Sequence, residues 1–571
     1  MQVRRYLYAL VLLAALAFPY ISYAAGIPDE QYSINTMAAS QGSSTQNKYG
    51  VYFDENVDTL RMPTLLAKSS WNSSKNMPET TGFCTGLKDP NCSESEQFRF
   101  YALYPPCMSD SEVDCIEEVY ALRAGVPTRI RGEFTSLFPA KVSNPYQADP
   151  SRGLPQGSNA SIWKIPGVLH GGSTEEYAVL ISRVGSIQRK GDEYTIEPSI
   201  QTYLADGDFR AAIYPVTIVK DEKYRENKAI IGVNGRGVSA LGVSHPSQRD
   251  FTVCAVVADG ACALRQSFPT NVRFGVTIRF SKKITGWLHG RIDSPIIDYQ
   301  LKSSGTRISM EGLATRVPIV AGWVDAAKFS AEDLKMLGLN GIPPGQSSYP
   351  GANGDEAMRA ITIWSKHLKD TSQAMPTQWI FYNLPTWRLR EANSCITNNQ
   401  SLSGFVTTNS TTYMAAPPTF NASTGTLDYK VASLHYMPNG EKFLGNYNLY
   451  IDSNVARCIY GFSNGPISAT ISIVNSEGTS NIATTTVREE SGWIHLQAEG
   501  FTFSSPTIKV KLVQGALSTP VTTGQENKVV PTPAQKAAKK VTITCVQIRA
   551  PHSSRKIVGI ALKCPAGFRK R

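Results

Sequence analysis

Ten cysteines carry the most legible chemistry of this chain. Cys84 and Cys92 stand eight positions apart, as do Cys107 and Cys115, and Cys254 and Cys262. Cys545 and Cys564 stand nineteen apart, and Cys395 and Cys458 remain. The count is even, no Cys-x2-Cys pair occurs, and the three short loops contain no His. This points to disulfide bridges in preference to a metal site. Five bridges are expected, with connectivity open, because the four cysteines from 84 to 115 alone can pair in three ways.

Two histidines share a local pattern, Gly167-Val-Leu-His170-Gly and Gly286-Trp-Leu-His289-Gly. Either both face a common site, where imidazole suits acid–base work near neutral pH, or each ends a strand and bonds nearby backbone. The second reading is simpler. Ala229 to Ala240 contains Gly-x-Gly-x-x-Ala after an apolar run, the pattern by which a Rossmann turn approaches a pyrophosphate. The following Gly-Val-Ser-His-Pro does not continue as a helix, so a glycine-rich turn is expected there. No Gly-x-Ser-x-Gly elbow and no His-Glu-x-x-His pair is present. Glu117-Glu118, Glu175-Glu176 and Glu489-Glu490 read as solvated faces. A glycosidase needs two carboxylates facing each other about 5–10 Å apart, which sequence does not display. Trp163, Trp287, Trp364, Trp379, Trp387 and Trp493 could stack on sugars, although most large aromatics are core. No residue is assigned a catalytic, metal or cofactor-binding role, and no cofactor is expected.

The net charge of +11 has a location. Residues 527–571 hold eleven Lys or Arg and no Asp or Glu, which accounts for the entire formal excess. The candidate envelope-binding set is Lys536, Lys539, Lys540, Arg555, Lys556, Lys563, Arg569, Lys570 and Arg571. A basic tail binds anionic polymers through many weak, salt-screened contacts. Nucleic acid is not an expected partner, because the first residues argue for export. Arg4 and Arg5 precede the apolar run Leu7–Phe18, and Ser22-Tyr23-Ala24 offers small residues at −3 and −1 of a cut before Ala25. No later stretch is long and apolar enough to anchor in a membrane, and export suits bridged cysteines.

The elements that must position these residues are mainly strands. Phe274, Val276, Ile278 and Phe280 alternate with polar or small residues, as do Ile467, Ala469, Ile471 and Ile473, and then Ile508, Val510 and Leu512. Tyr177–Ser182 and Phe251–Val257 read as more deeply buried strands. Ser330 and Asp333 form a capping box before Leu334. A second helix is expected from Asp355 to Lys369, with Ala357, Met358, Ile361, Trp364 and Leu368 in one stripe, and Pro376 is expected to end it. The predicted fold class is mainly β and multi-domain: antiparallel sandwich-like domains with a small helical segment near 330–370 and disulfides. The expected order is a leader at 1–24, a Cys-containing N-terminal region at 25–125 and a β-rich domain at 126–326. A helical connecting segment at 327–392 and a β-sandwich domain at 393–515 follow. A linker at 516–540 leads to a basic, disulfide-stapled tail at 541–571. Residues 26–50, rich in Ser, Gln and Asn, read as a mobile N-terminus.

Thr542-Ile-Thr-Cys-Val, followed by Lys563-Cys-Pro-Ala-Gly-Phe-Arg-Lys, resembles a basic two-cysteine tail that closes many exported proteins of freshwater actinobacteria. Gly404-Phe-Val-Thr-Thr-Asn, Leu427-Asp-Tyr-Lys-Val-Ala and Asn454-Val-Ala-Arg-Cys-Ile-Tyr-Gly-Phe resemble a module of uncharacterised secreted proteins of that group. So do Pro466-Ile-Ser-Ala-Thr, Gly500-Phe-Thr-Phe-Ser-Ser-Pro-Thr-Ile-Lys-Val-Lys-Leu and Gly286-Trp-Leu-His-Gly-Arg-Ile. The resemblance implies lineage, export and surface residence. It implies no reaction, so no catalytic residue is carried over. The functional expectation is a secreted or surface-attached, non-enzymatic protein held at the envelope by its tail. The alternative is an extracellular carbohydrate-binding protein or glycosidase, with glycans as partner.

Overall fold

The computed structural model describes residues 47–53, 62–197, 209–234, 237–243, 254–303, 305–348, 354–384, 389, 391–474, 480–481, 484–503, 507–514, 541–547, 550–559 and 568–570. The leader at 1–24, most of the stretch 26–50 and the linker at 516–540 lie outside them. The chain divides into two compact units, Met1–Leu517 and Ser518–Arg571. Among the described residues it is mainly β, 53% strand and 10% helix, as the predicted fold class has it. No described helix is long and apolar enough to cross a membrane.

One sheet organises the first unit. Its strands run, in spatial order, Met77–Phe83, Leu65–Asn72, Gln97–Leu103, Glu176–Lys190, Phe209–Lys220 and Ile380–Asn383. Next to Ile380–Asn383 comes Gly286–Lys302, then Leu402–Thr408, Leu444–Asp452, Trp493–Thr502 and Thr484–Glu490. All neighbours are antiparallel except Gly286–Lys302 and Leu402–Thr408, which run parallel. Strand pairing therefore crosses the positions near 126, 326 and 392 where domain boundaries were expected.

Gly286–Lys302 serves two sheets. Its first residues lie in the long sheet, and Ile292 onward pairs with Gly305–Arg316. Beyond that strand follow Val272–Phe280 and Cys115–Arg123. The change of sheet falls between Arg291 and Ile292, just before a bulge between Asp293 and Ile296. The local sequence is Asp293-Ser-Pro-Ile. Proline donates no ladder hydrogen bond and is tolerated at a bulge, and Ser294 takes a left-handed φ of 46°. Phe274, Val276, Ile278 and Phe280 are buried on one face. On the other, Arg279 and Arg307 share Glu117, and Arg273 holds Glu311 at 2.8 Å.

A smaller sheet takes Thr412–Tyr413, Thr426–Ala432, Thr507–Gln514, Ile467–Val474 and Ser480–Asn481 in that order. Ile471, Ile473, Ile508, Val510 and Leu512 face its core. Elsewhere Lys48–Phe53 pairs with Val320–Asp325, so the end of the expected mobile stretch is a strand. Two helices cover it. In α1, Ala331–Met336, Ser330 and Asp333 form the reciprocal capping box. In α2, Asp355–His367, Ala357, Ile361 and Trp364 are buried. Pro376 does not end α2. Lys369 and Asp370, both at left-handed φ near +55°, turn the chain first.

A device recurs between strands. Gly275, Gly185, Gly445, Gly404 and Gly50 lie against the aromatic rings of Tyr120, Phe100, Phe501, Trp287 and Trp323, respectively. Each ring comes from the residue paired across the sheet. The missing Cβ makes the room, and the ring covers a backbone that glycine leaves bare.

Candidate functional site

The cysteines settle into local and long-range bridges. Cys84–Cys92, Cys107–Cys115 and Cys254–Cys262 each close eight positions, and Cys395–Cys458 closes 63. Cys84, Cys92, Cys115, Cys254 and Cys262 are buried, whereas Cys458 is exposed. Cys545 lies on the strand Val541–Gln547, and Cys564 lies outside the described residues.

Val541–Gln547 is the central strand of a three-stranded sheet, with Ala550–Gly559 and Phe568–Lys570 at its sides. Val541–Gln547 and Ala550–Gly559 form a hairpin, to which Phe568–Lys570 adds a third strand. Arg555, Cys545 and Lys570 share one register row, and Ser554, Val546 and Arg569 the next. Lys556 pairs with Thr544. Lys536, Lys539, Lys540, Lys563 and Arg571 lie outside the described residues.

The two histidine motifs do not converge. His170 sits in a loop, where its Nδ1 accepts from Gly172 N–H at 3.0 Å. Its Nε2 therefore carries the proton and donates to Val216 O at 3.0 Å. Burial pulls its pKa down to about 4, so the ring is neutral. His289 lies within the long sheet, stacked on Tyr382, Tyr413 and Tyr429. Tyr429 donates its hydroxyl proton to Met414 O at 2.6 Å, so the 3.3 Å contact from His289 has Nδ1–H donating. The two histidines share no neighbour among these contacts, and both rings serve the interior. The glycine motif at 229–240 spans a hairpin, Ala229–Val233 with Ser239–Val243, and opens no helix.

Most sugar-stacking candidates are inaccessible. Trp163, Trp287, Trp364 and Trp379 are buried and Trp493 is half-buried; Trp387 lies outside the described residues. Of the acidic pairs, Glu117, Glu118, Glu175 and Glu489 each hold a Lys or Arg.

Two constellations escaped sequence reading. At the bulge, Asp293 has its pKa raised by desolvation, and Glu499 is raised by desolvation and then by the Asp293 charge. Gln497 donates to both Ser294 Oγ, at 3.1 Å, and Glu499. Arg273 donates to Ser294 O at 2.8 Å. These carboxylates keep their protons to higher pH than free ones, a property of acid–base groups. They stand on strands far apart in sequence; Pro295 inside a strand is the one local signal. Among the described residues no group of three His, Cys, Asp or Glu is placed to hold a metal ion.

The second constellation is a cleft. Two short helices, α3 at Ser394–Thr397 and α4 at Ser453–Tyr460, are tied together by Cys395–Cys458. Asn393 caps α3 through Cys395 N–H at 2.9 Å. Asp452 Oδ1 caps α4 through Asn454 N–H and Val455 N–H at 2.9 and 3.0 Å. Beside the bridge opens a cleft of about 330 Å3 lined by both polar and apolar groups, among them Asn398, Asn399, Ser401, Asn454 and Val455.

No family model matches the chain, and comparison with curated proteins and with solved structures gives no match.

Proposed function

We propose that this chain is a non-enzymatic structural or interaction protein that works outside the cytoplasm and is retained at the cell envelope by its basic C-terminal unit. The observation that carries the reading is the coincidence of two divisions. The whole formal positive excess falls in 527–571, and that segment lies within the separate unit Ser518–Arg571. Four bridges support an oxidising location. The resemblance of the tail to those of exported actinobacterial proteins supports the same reading. The partner is an anionic envelope polymer, met through contacts that salt screens within about 8–10 Å.

Washing cells tests this. The full chain should stay with the cells at low ionic strength and enter the medium at high salt, while a chain lacking 527–571 should be in the medium at both. Identical partitioning of the two would sink the proposal.

A second reading, glycoside hydrolysis, has one observation in its favour, the raised pair Asp293 and Glu499. Fluorogenic glycosides decide it. Turnover that Asp293→Asn reduces at least about a hundredfold supports hydrolysis, in line with the loss of one acid–base group. No turnover by the parent chain dismisses it.

A further inference from the structure

We infer that the cleft beside Cys395–Cys458 is a binding site for a short neutral saccharide. Its polar groups fall into two sets. One set builds the cleft: Asn399 Oδ1 accepts from Ser401 N–H and Oγ–H, and its Nδ2 donates to Ser403 Oγ at 3.1 Å. The other set is uncommitted. The side chains of Ser394, Asn398 and Asn454 line the cleft and make no hydrogen bond among the described residues, and Asp452 uses only Oδ1 for its cap.

The uncommitted set specifies the ligand. Two amides offer both donors and acceptors, one hydroxyl offers either, and Asp452 Oδ2 only accepts. Adjacent hydroxyls of a sugar ring present the complementary mixture. Val455 and the disulfide add apolar surface to the lining, suited to the C–H face of a ring. An anion is disfavoured, because Asp452 already satisfies the first donors of α4 and itself carries negative charge. No Lys or Arg lines the cleft. Its volume is at the small end for ligand sites, which sets the size at one or two rings. The cleft is open and holds no aromatic side chain, so the affinity is in the millimolar range. This site is independent of the basic tail and needs no catalysis.

Ligand-observed saturation-transfer NMR on the full chain tests it, with neutral mono- and disaccharides at about 10 mM each, near the weak end of specific binding. Glucose, galactose, mannose, N-acetylglucosamine and their disaccharides make the panel, with glucuronate and inorganic phosphate as charged probes. At least one neutral sugar should show transfer. The signal should drop about tenfold in the double variant Asn398→Ala, Asn454→Ala, the loss expected for two hydrogen bonds. Both positions are exposed, so the fold tolerates the change; matching urea midpoints of parent and variant check this. Asn439→Ala, whose amide serves Glu441, should leave the signal unchanged, as should deletion of 527–571. Transfer to no neutral sugar overturns the inference. So does transfer that survives the double variant, or binding of the charged probes alone.

Discussion

His170 and His495 are held neutral in the folded chain, each with its pKa pulled down to about 4 by burial. An unfolded chain returns them to about 6.5 and so binds more protons between these values. Their contribution is complete above pH 6.5 and is lost as pH falls toward 4. For His170 it amounts to at most about 3 kcal/mol. Urea midpoints at pH 7 and pH 4.5 should differ, and His170→Gln should flatten the difference; an equal slope in the variant would place the acid sensitivity elsewhere. The buried pair Arg183 and Asp114 makes a second case. Both side chains are 1% exposed, and Asp114 Oδ1 also accepts from Tyr104 Oη at 2.7 Å and Ser281 N–H at 3.0 Å. Asp114→Ala should cost about 3–5 kcal/mol, because it removes the carboxylate that balances a buried guanidinium, and adding Arg183→Met should recover much of that. Urea titration of the single and double variants measures both. Neither role was legible from the residues themselves. A histidine flanked by glycines reads the same whether it meets solvent or Val216 O, and Arg183 lies far in sequence from Asp114.

Gly404 lies against the ring of Trp287, which is fully buried and has no room to yield. Gly404→Ala should lower stability by about 3 kcal/mol, the upper range for overpacking a core. Gly425→Ala makes a contrasting control: a Cβ there meets nothing, and its penalty is confined to a left-handed turn with φ of 64°. Thermal melting of the two variants should therefore differ clearly, and equal losses would mean that the rings do not set the spacing. Strand period was readable because water enforces it: Phe274 to Phe280 alternate since one face is dry and the other carries Arg273 and Arg279. The capping box at Ser330 and Asp333 was readable because its bonds span three residues. The parallel pairing of Gly286–Lys302 with Leu402–Thr408 left no such trace, since period alone does not name a strand's neighbour. The same limit hid the cleft, whose two walls meet only when Cys395 reaches Cys458.

For the molecule as a whole, pairing across the expected boundaries has a thermodynamic signature. The first unit should unfold in one transition, with calorimetric and van't Hoff enthalpies equal. Separate transitions for 126–326 and 393–515 would show that the long sheet does not bind them into one cooperative body. The bridges differ in the same sense. By loop-closure entropy, Cys395–Cys458 is worth about 4 kcal/mol and each eight-residue bridge about 2.5 kcal/mol. Cys458 is also exposed, so mild thiol reductant should open that bridge first, read by alkylation and peptide mass. Gly286–Lys302 has a last consequence, in the order of synthesis. Both neighbours of its first half, Ile380–Asn383 and Leu402–Thr408, are made after it. The ribosome therefore extrudes this strand well before either of the two strands that pair with its first half. Until they arrive, Gly286–Arg291 offers two bare edges to any passing chain. A chaperone that guards nascent strands would be needed most while residues 303–408 are being added.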